Sequence, residues 1–159
     1  MLLNIQTGLD NPILRKKSKR VSKFDKKLAK FLKDLTETTL KKDGVGLAAP
    51  QVGVNERAAV LNFQTDSKTA RSIVLVNPEI VDASIKTVVA EEGCLSLPGE
   101  YGNVERFQTV TVKFQDEKGQ QRVLELDGLN ARATQHEIDH LDGILFLDKA
   151  VGKIRKEKV

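Results

Sequence analysis

The stretch His136-Glu137-Ile138-Asp139-His140 constrains this chain more than any other, and it holds both histidines of the 159 residues. Residues four apart stand one above the other on the same face of a helix. The segment must therefore be helical if the two rings are to act together. Their ring nitrogens can then converge on one divalent cation, with the intervening glutamate beside a water on that metal. A catalytic site of this kind takes a third protein ligand and keeps one position open. The identity of the third ligand separates one enzyme class from another.

Three sources for that ligand compete. In the metzincin pattern a glycine and then a third histidine follow; Gly143 is in place, but Phe146 occupies the last position. In thermolysin-like enzymes a later glutamate serves. Only Glu157 follows His140, inside Arg155-Lys156-Glu157-Lys158, and a basic tail expected to fray is a poor anchor for a ligand. Cys94, the single cysteine, is the remaining soft donor. A thiolate leaving a strand, joined to two imidazoles from a helix, makes a tetrahedral site with one open vertex. The metal ligands read from the sequence are thus Cys94, His136 and His140.

The rest of the chain reads as a scaffold for that helix. At 159 residues, 40% hydrophobic and 30% charged, it is expected to form one domain over residues 1–159. No apolar run approaches the roughly 20 residues that span a bilayer, and no secretory signal is visible at the N-terminus. One cysteine leaves no internal disulfide framework. Together these point to a cytoplasmic protein that does not enter a membrane. The net charge of +4 is uneven, with Lys and Arg crowded between Arg15 and Lys42 and between Lys149 and Lys158. Such clusters serve as solvated faces or as contacts with an anionic surface such as the ribosome. No specific nucleic-acid motif accompanies them, so a basic RNA-binding protein with a structural metal stands as the alternative class.

Residues 25–42 have apolar side chains at helical spacing (Leu28, Phe31, Leu32, Leu35, Leu40), with Gly44 as a stop. A glycine-rich loop follows through Gly53. Ala58 to Phe63 and Ile73 to Val76 read as buried strands, the second ended by Asn77-Pro78. Residues 85–90 form another. Val110, Val112 and Phe114 pair with Val123, Leu124 and Leu126 across the turn Asp116-Glu117-Lys118-Gly119. The last element is a helix from about Leu129 to Leu141, capped near Asp127 and stopped by Asp142-Gly143. The expected class is α+β: mainly antiparallel strands packed around a central metal-binding helix.

Three segments together resemble the signature motifs of the peptide deformylase family. They are Gly44-Val45-Gly46-Leu47-Ala48-Ala49-Pro50-Gln51, Glu92-Gly93-Cys94-Leu95-Ser96 and Gln135-His136-Glu137-Ile138-Asp139-His140, in that order. The resemblance extends to Pro12-Ile13-Leu14-Arg15. It implies a metallo-hydrolase that removes the formyl group from the N-terminal formyl-methionine of nascent polypeptides and releases formate. It implies Fe²⁺ as the bound metal, or Zn²⁺, Ni²⁺ or Co²⁺ in its place. It makes Glu137 the general acid/base and gives the developing oxyanion to Gln51 and the backbone N–H of Leu95. Gly46 would lend backbone hydrogen bonds to the substrate, and Glu92 with Arg106 would form a supporting ion pair. A methionine side chain needs an apolar pocket, for which Val45, Leu129 and Ala133 are the candidates.

Overall fold

The computed structural model describes residues 1–63 and 71–159. A single helical turn, α1 (Pro12–Arg15), precedes α2 (Lys26–Lys41). The Asp25 carboxylate caps α2 by accepting from the Leu28 N–H at 3.0 Å. Leu28, Leu32 and Leu35 of its apolar stripe are buried, whereas Leu40 is 44% exposed. Asp43, at φ 52°, turns the chain at the helix end one residue before the expected Gly44.

The glycine-rich segment is more ordered than a loop. It forms a short strand, β1 (Gly46–Ala48), and a 3-10 turn over Ala49–Val52. Next come β2 (Ala58–Phe63) and β3 (Arg71–Ala83). β2 has no polar alternation because both of its faces are covered. Ala58 and Val60 pack with Leu28, Leu32 and Leu35 of α2, while Ala59 and Leu61 pack on the opposite side with Leu141 and Ile138.

β3 does not stop at Asn77-Pro78. Its register against the next partner shifts between Val76 and Glu79, a bulge at which proline costs no ladder hydrogen bond. Asn77 adopts φ 51° there. Its side chain accepts from the Val21 N–H and donates to the Val21 carbonyl, at 2.8 and 2.9 Å. The strand continues to Ala83.

β4 (Thr87–Cys94) reaches the cysteine itself, beyond the expected end at residue 90. It pairs with β5 (Leu97–Phe107) through the two-residue turn Leu95-Ser96. β6 (Thr109–Gln115) and β7 (Gln121–Asp127) form the expected hairpin, with Val110 opposite Leu126 and Val112 opposite Leu124. α3 (Gly128–Leu141) follows at once. Asp127 is its N-cap residue, as expected, but its carboxylate makes no cap hydrogen bond and accepts instead from Gln108 and Thr109, both at 2.9 Å. The tail is not frayed. Residues Ala150–Lys156 form β8 on the free edge of β5.

The strands make two sheets, in the orders β1-β2-β3-β6-β7 and β4-β5-β8, with every pairing antiparallel. Ala131, Ala133 and Ile138 of α3 join the core of the larger sheet, packed on Leu61, Leu75, Val110, Val112, Phe114 and Leu126. The class is α+β, with α3 against the strands. Among the described residues no helix is long and apolar enough to cross a membrane.

Candidate active site

α3 and the β4–β5 hairpin bring the three proposed ligands together from two sides. The register shift between Gly93 and Cys94 is a bulge, which re-aims the side chain at the end of a strand. The Cys94 Sγ lies 3.3 Å from His140 Nε2, and His140 Nε2 lies 3.2 Å from His136 Nε2. Among the described residues these three are the group of His, Cys, Asp or Glu side chains whose ligand atoms cluster, all within 4.8 Å of one another. Phe146, standing where a third histidine would be sought, is buried and stacks on the His136 ring at 6.1 Å. Glu157 is paired with Arg155 and takes no part.

The donor set fits a divalent metal of the iron or zinc kind. Two imidazole nitrogens and one thiolate suit a borderline-soft cation, and ligand bonds of about 2.0–2.3 Å place tetrahedral neighbours little more than 3 Å apart. His140 is buried and its pKa is driven well below the ordinary value by that burial, which keeps the ring neutral as a ligand must be. Burial opposes a charge on His136 too. Its contacts with Cys94 and Glu92 outweigh burial and raise its proton affinity well above normal. The cluster thus favours positive charge.

Behind His136 stands a buried ionic network. His136 Nδ1 donates to Glu92 Oε1 at 2.8 Å, which orients Nε2 toward the cluster. Arg106 holds Glu92 with two bonds, 2.9 and 3.0 Å, and reaches Asp139 at 2.5 Å. Arg132 adds a third cationic contact to Glu92 at 2.6 Å. Burial alone would push the Glu92 carboxyl up, but hydrogen bonds from His136 and Arg106 prevail and hold it well below the usual carboxylate range. Arg132 and Asp139 escaped the sequence reading. Their signal was position: each stands one helical turn or less from His136 on α3.

Glu137 is buried, and its Oε1 has no hydrogen-bond partner. Burial pushes its carboxyl up to about 7. Its carboxylate lies against Gly46, where an added Cβ would stand 2.6 Å from Oε2 and 2.9 Å from Cγ. Gly46 therefore makes room for Glu137, a role its sequence context did not reveal. The Gln51 Oε1 accepts from the Ala48 N–H at 3.0 Å. That bond turns the Gln51 Nε2 toward Ser96 Oγ at 3.1 Å and Cys94 Sγ at 3.5 Å.

All of this opens on a cleft of about 560 Å³. Val45, Gly46, Gln51, Glu92, Cys94, Leu95, Leu129, Ala133, His136 and Glu137 line it. Arg106 stands behind Glu92, and His140 is sealed in beneath His136, with 1% exposure. Leu129 is 66% exposed at the cleft mouth, whereas Ala133 is buried.

A family model described as polypeptide deformylase matches residues 4–156. The chain belongs to the peptide deformylase family. It is 49% identical over 150 residues to a peptide deformylase of Caldicellulosiruptor bescii, covering 94% of this chain and 87% of the relative. The solved peptide deformylase of Thermotoga maritima superposes with a TM-score of 0.89 at 40% identity, over 96% of this chain and 99% of that one. A class I type b peptide deformylase from Acinetobacter baumannii, solved with Met-Ala-Ser bound, gives 0.86 at 34% identity over 94% and 98%. The three segments that resemble family motifs thus meet at one cleft.

Proposed function

We propose that this chain removes the formyl group from the N-terminal formyl-methionine of nascent polypeptides, with a divalent metal held by Cys94, His136 and His140. The convergence of these three side chains beside a buried, partnerless carboxyl carries the reading. In the reaction the formamide C–N bond breaks, a water oxygen joins the formyl carbon, and formate and a free amine depart. A divalent cation bound there brings the pKa of water from about 16 toward 7 and polarises a carbonyl oxygen. Fe²⁺ is the metal we assign, with Zn²⁺, Ni²⁺ or Co²⁺ as substitutes of the same coordination preference.

Glu137 takes the proton from the attacking water and passes it to the departing nitrogen. A carboxyl pushed up to about 7 can occupy both protonation states at neutral pH, as a group that receives and returns a proton must. Gln51 Nε2, held at the edge of the cluster by Ala48 and Ser96, donates to the oxygen that gains charge, together with the Leu95 N–H. β1 and β4 are both sheet edges facing the cleft. An extended peptide can therefore hydrogen-bond to backbone there, beginning at Gly46. Val45, Leu129 and Ala133 receive the methionine side chain. The Met-Ala-Ser bound by the Acinetobacter baumannii relative begins with the residue this pocket would hold.

Action on nascent chains places the protein in the cytoplasm and in transient contact with the ribosome. The exposed cations between Lys16 and Lys33 favour that contact: the segment carries nine Lys or Arg and one acid. Ribosome binding that does not weaken with salt would remove this part of the proposal.

The test is formate release from a formyl-Met peptide by Fe²⁺- or Ni²⁺-loaded protein. No release with metal verified at the site would overturn the function. Glu137→Ala should retain metal and lose about 10²–10⁴-fold in kcat; near-normal turnover would remove Glu137 from its role.

A further inference from the structure

The metal cluster is assembled across a seam: Cys94 and Glu92 belong to β4, His136 and His140 to α3. Arg106 crosses that seam from β5, and the family resemblance already pointed to it. Arg132 also crosses it, from the helix side, and nothing in the motifs assigns it a role.

Arg132 precedes His136 by one turn, so both look out from the same face of α3. Its side chain is 10% exposed. Its guanidinium makes three bonds, all to the hairpin. Nη1 donates to Glu92 Oε2 at 2.6 Å and to the Val104 carbonyl at 2.9 Å; Nη2 donates to the Val88 carbonyl at 2.6 Å. Three short bonds from one planar fork fix orientation as well as distance, which a lysine cannot reproduce. They also occupy the charge, although Arg132 lines the cleft.

We infer that Arg132 is a positioning residue: it locks Glu92 against α3 and thereby sets the orientation of the His136 ring. Glu92 offers two oxygens. Oε1 serves His136 and Arg106, while Oε2 serves Arg106 and Arg132. With Arg106 alone the guanidinium support of the carboxylate comes from β5 only, and the strand carrying Cys94 loses two of its direct bonds to the helix carrying the other two ligands, those from Arg132 to Glu92 and to the Val88 carbonyl. Removing Arg132 also leaves the Val88 and Val104 carbonyls without that donor. The inference rests on the metal-site reading above, but its first readout needs no metal.

That readout is the His136 Nδ1–H resonance in metal-free protein. The bond to Glu92 should protect this proton from exchange in the wild type, and Arg132→Met should broaden or abolish the signal. The second readout is the rate of Co²⁺ loss to a chelator, followed by the cobalt–thiolate absorption. Outer-shell substitutions typically cost about 10–100-fold in metal affinity, and Arg132→Met should fall in that range. Arg132→Lys, which retains charge but not the fork, should recover at most part of it. In a Glu92→Gln background the same substitution should add little, because its route through Glu92 is already broken.

A His136 signal and cobalt release unchanged in both Arg132 variants would overturn the inference. So would effects that add in full to those of Glu92→Gln, the mark of a merely structural role. If the wild type bound no cobalt while the His136 signal still responded to Arg132, the metal reading would fall and the positioning role would stand.

Discussion

Glu91 and Glu92 are consecutive on β4 and both are paired with arginine, yet they do different work. Strand alternation sends one outward and one inward. Glu91 is exposed and meets Arg155 of β8 at 2.7 and 3.1 Å; Arg155 also lies over the Tyr101 ring at 4.3 Å. Glu92, with a side chain only 5% exposed, meets two arginines and a histidine. Arg155 holds the Glu91 carboxyl below its ordinary value by hydrogen bonding. Glu92 is held there against the opposition of its own burial. An exposed pair remains hydrated whether made or broken, whereas a buried pair has no water to return to. The identical dipeptide letters therefore encode a surface clasp and the support of a buried histidine proposed to hold a metal.

The contrast is broken most directly at Glu92. Glu92→Ala should cost about 3–5 kcal/mol, because Arg106 and Arg132 are left buried with less compensation. Urea unfolding of the metal-free protein reads this, and a loss below about 1 kcal/mol would erase the distinction between the two glutamates. Gly46→Ala tests whether the interior of the site is as unforgiving as Glu92 implies. The new methyl meets Glu137 at 2.6 Å, so the carboxyl must move. A displacement near 1 Å costs about 10²-fold in kcat, measured as formate release, while the fold should hold.

A smaller effect is expected at the half-exposed pair Arg15–Asp148, 2.6 Å apart. The hydrogen bond from Arg15 holds the Asp148 carboxyl below its ordinary value. A depressed folded-state pKa stabilises above the unfolded value, about 3.9, and that stabilisation is lost as pH falls through the folded value. The melting difference between wild type and Asp148→Asn should therefore be present at pH 6, worth at most about 1 kcal/mol, and shrink as acidification carries the pH below the unfolded value and through the lower folded one. A difference that grew on acidification would reverse the sign of the argument. Least of all, Glu91→Gln should leave unfolding within experimental error, and a clear loss there would show that exposed pairs on this sheet matter.

The part of the molecule legible from sequence was the part whose signal is local. α3 was read nearly to the residue, because helical spacing and a liganding pentapeptide coincide there. The β6–β7 hairpin was equally legible, since alternation and a turn lie within one short window. Asn77-Pro78 misled, because proline normally ends a strand; the bulge that admits it depends on Val21 and Gln115, distant in sequence. The tail misled for a related reason. Ala150–Lys156 is largely exposed and basic, and it is a strand only because β5 offers it a free edge. Leu40 fits the apolar stripe of α2 by spacing and still points outward.

The sequence by itself determined which chemistry is available here. One cysteine and two histidines four apart are the chain's whole supply of thiolate and imidazole donors, which narrows the ways it could hold a borderline-soft metal. The tertiary structure decided how those residues are aimed. It brought Cys94 within 3.3 Å of His140 across 46 residues, buried Glu137 at the cleft wall against a glycine, and recruited Arg132 and Asp139. The reason is physical: ligand identity is a property of side chains, whereas burial, dielectric and the orientation of a ring are properties of everything packed around them.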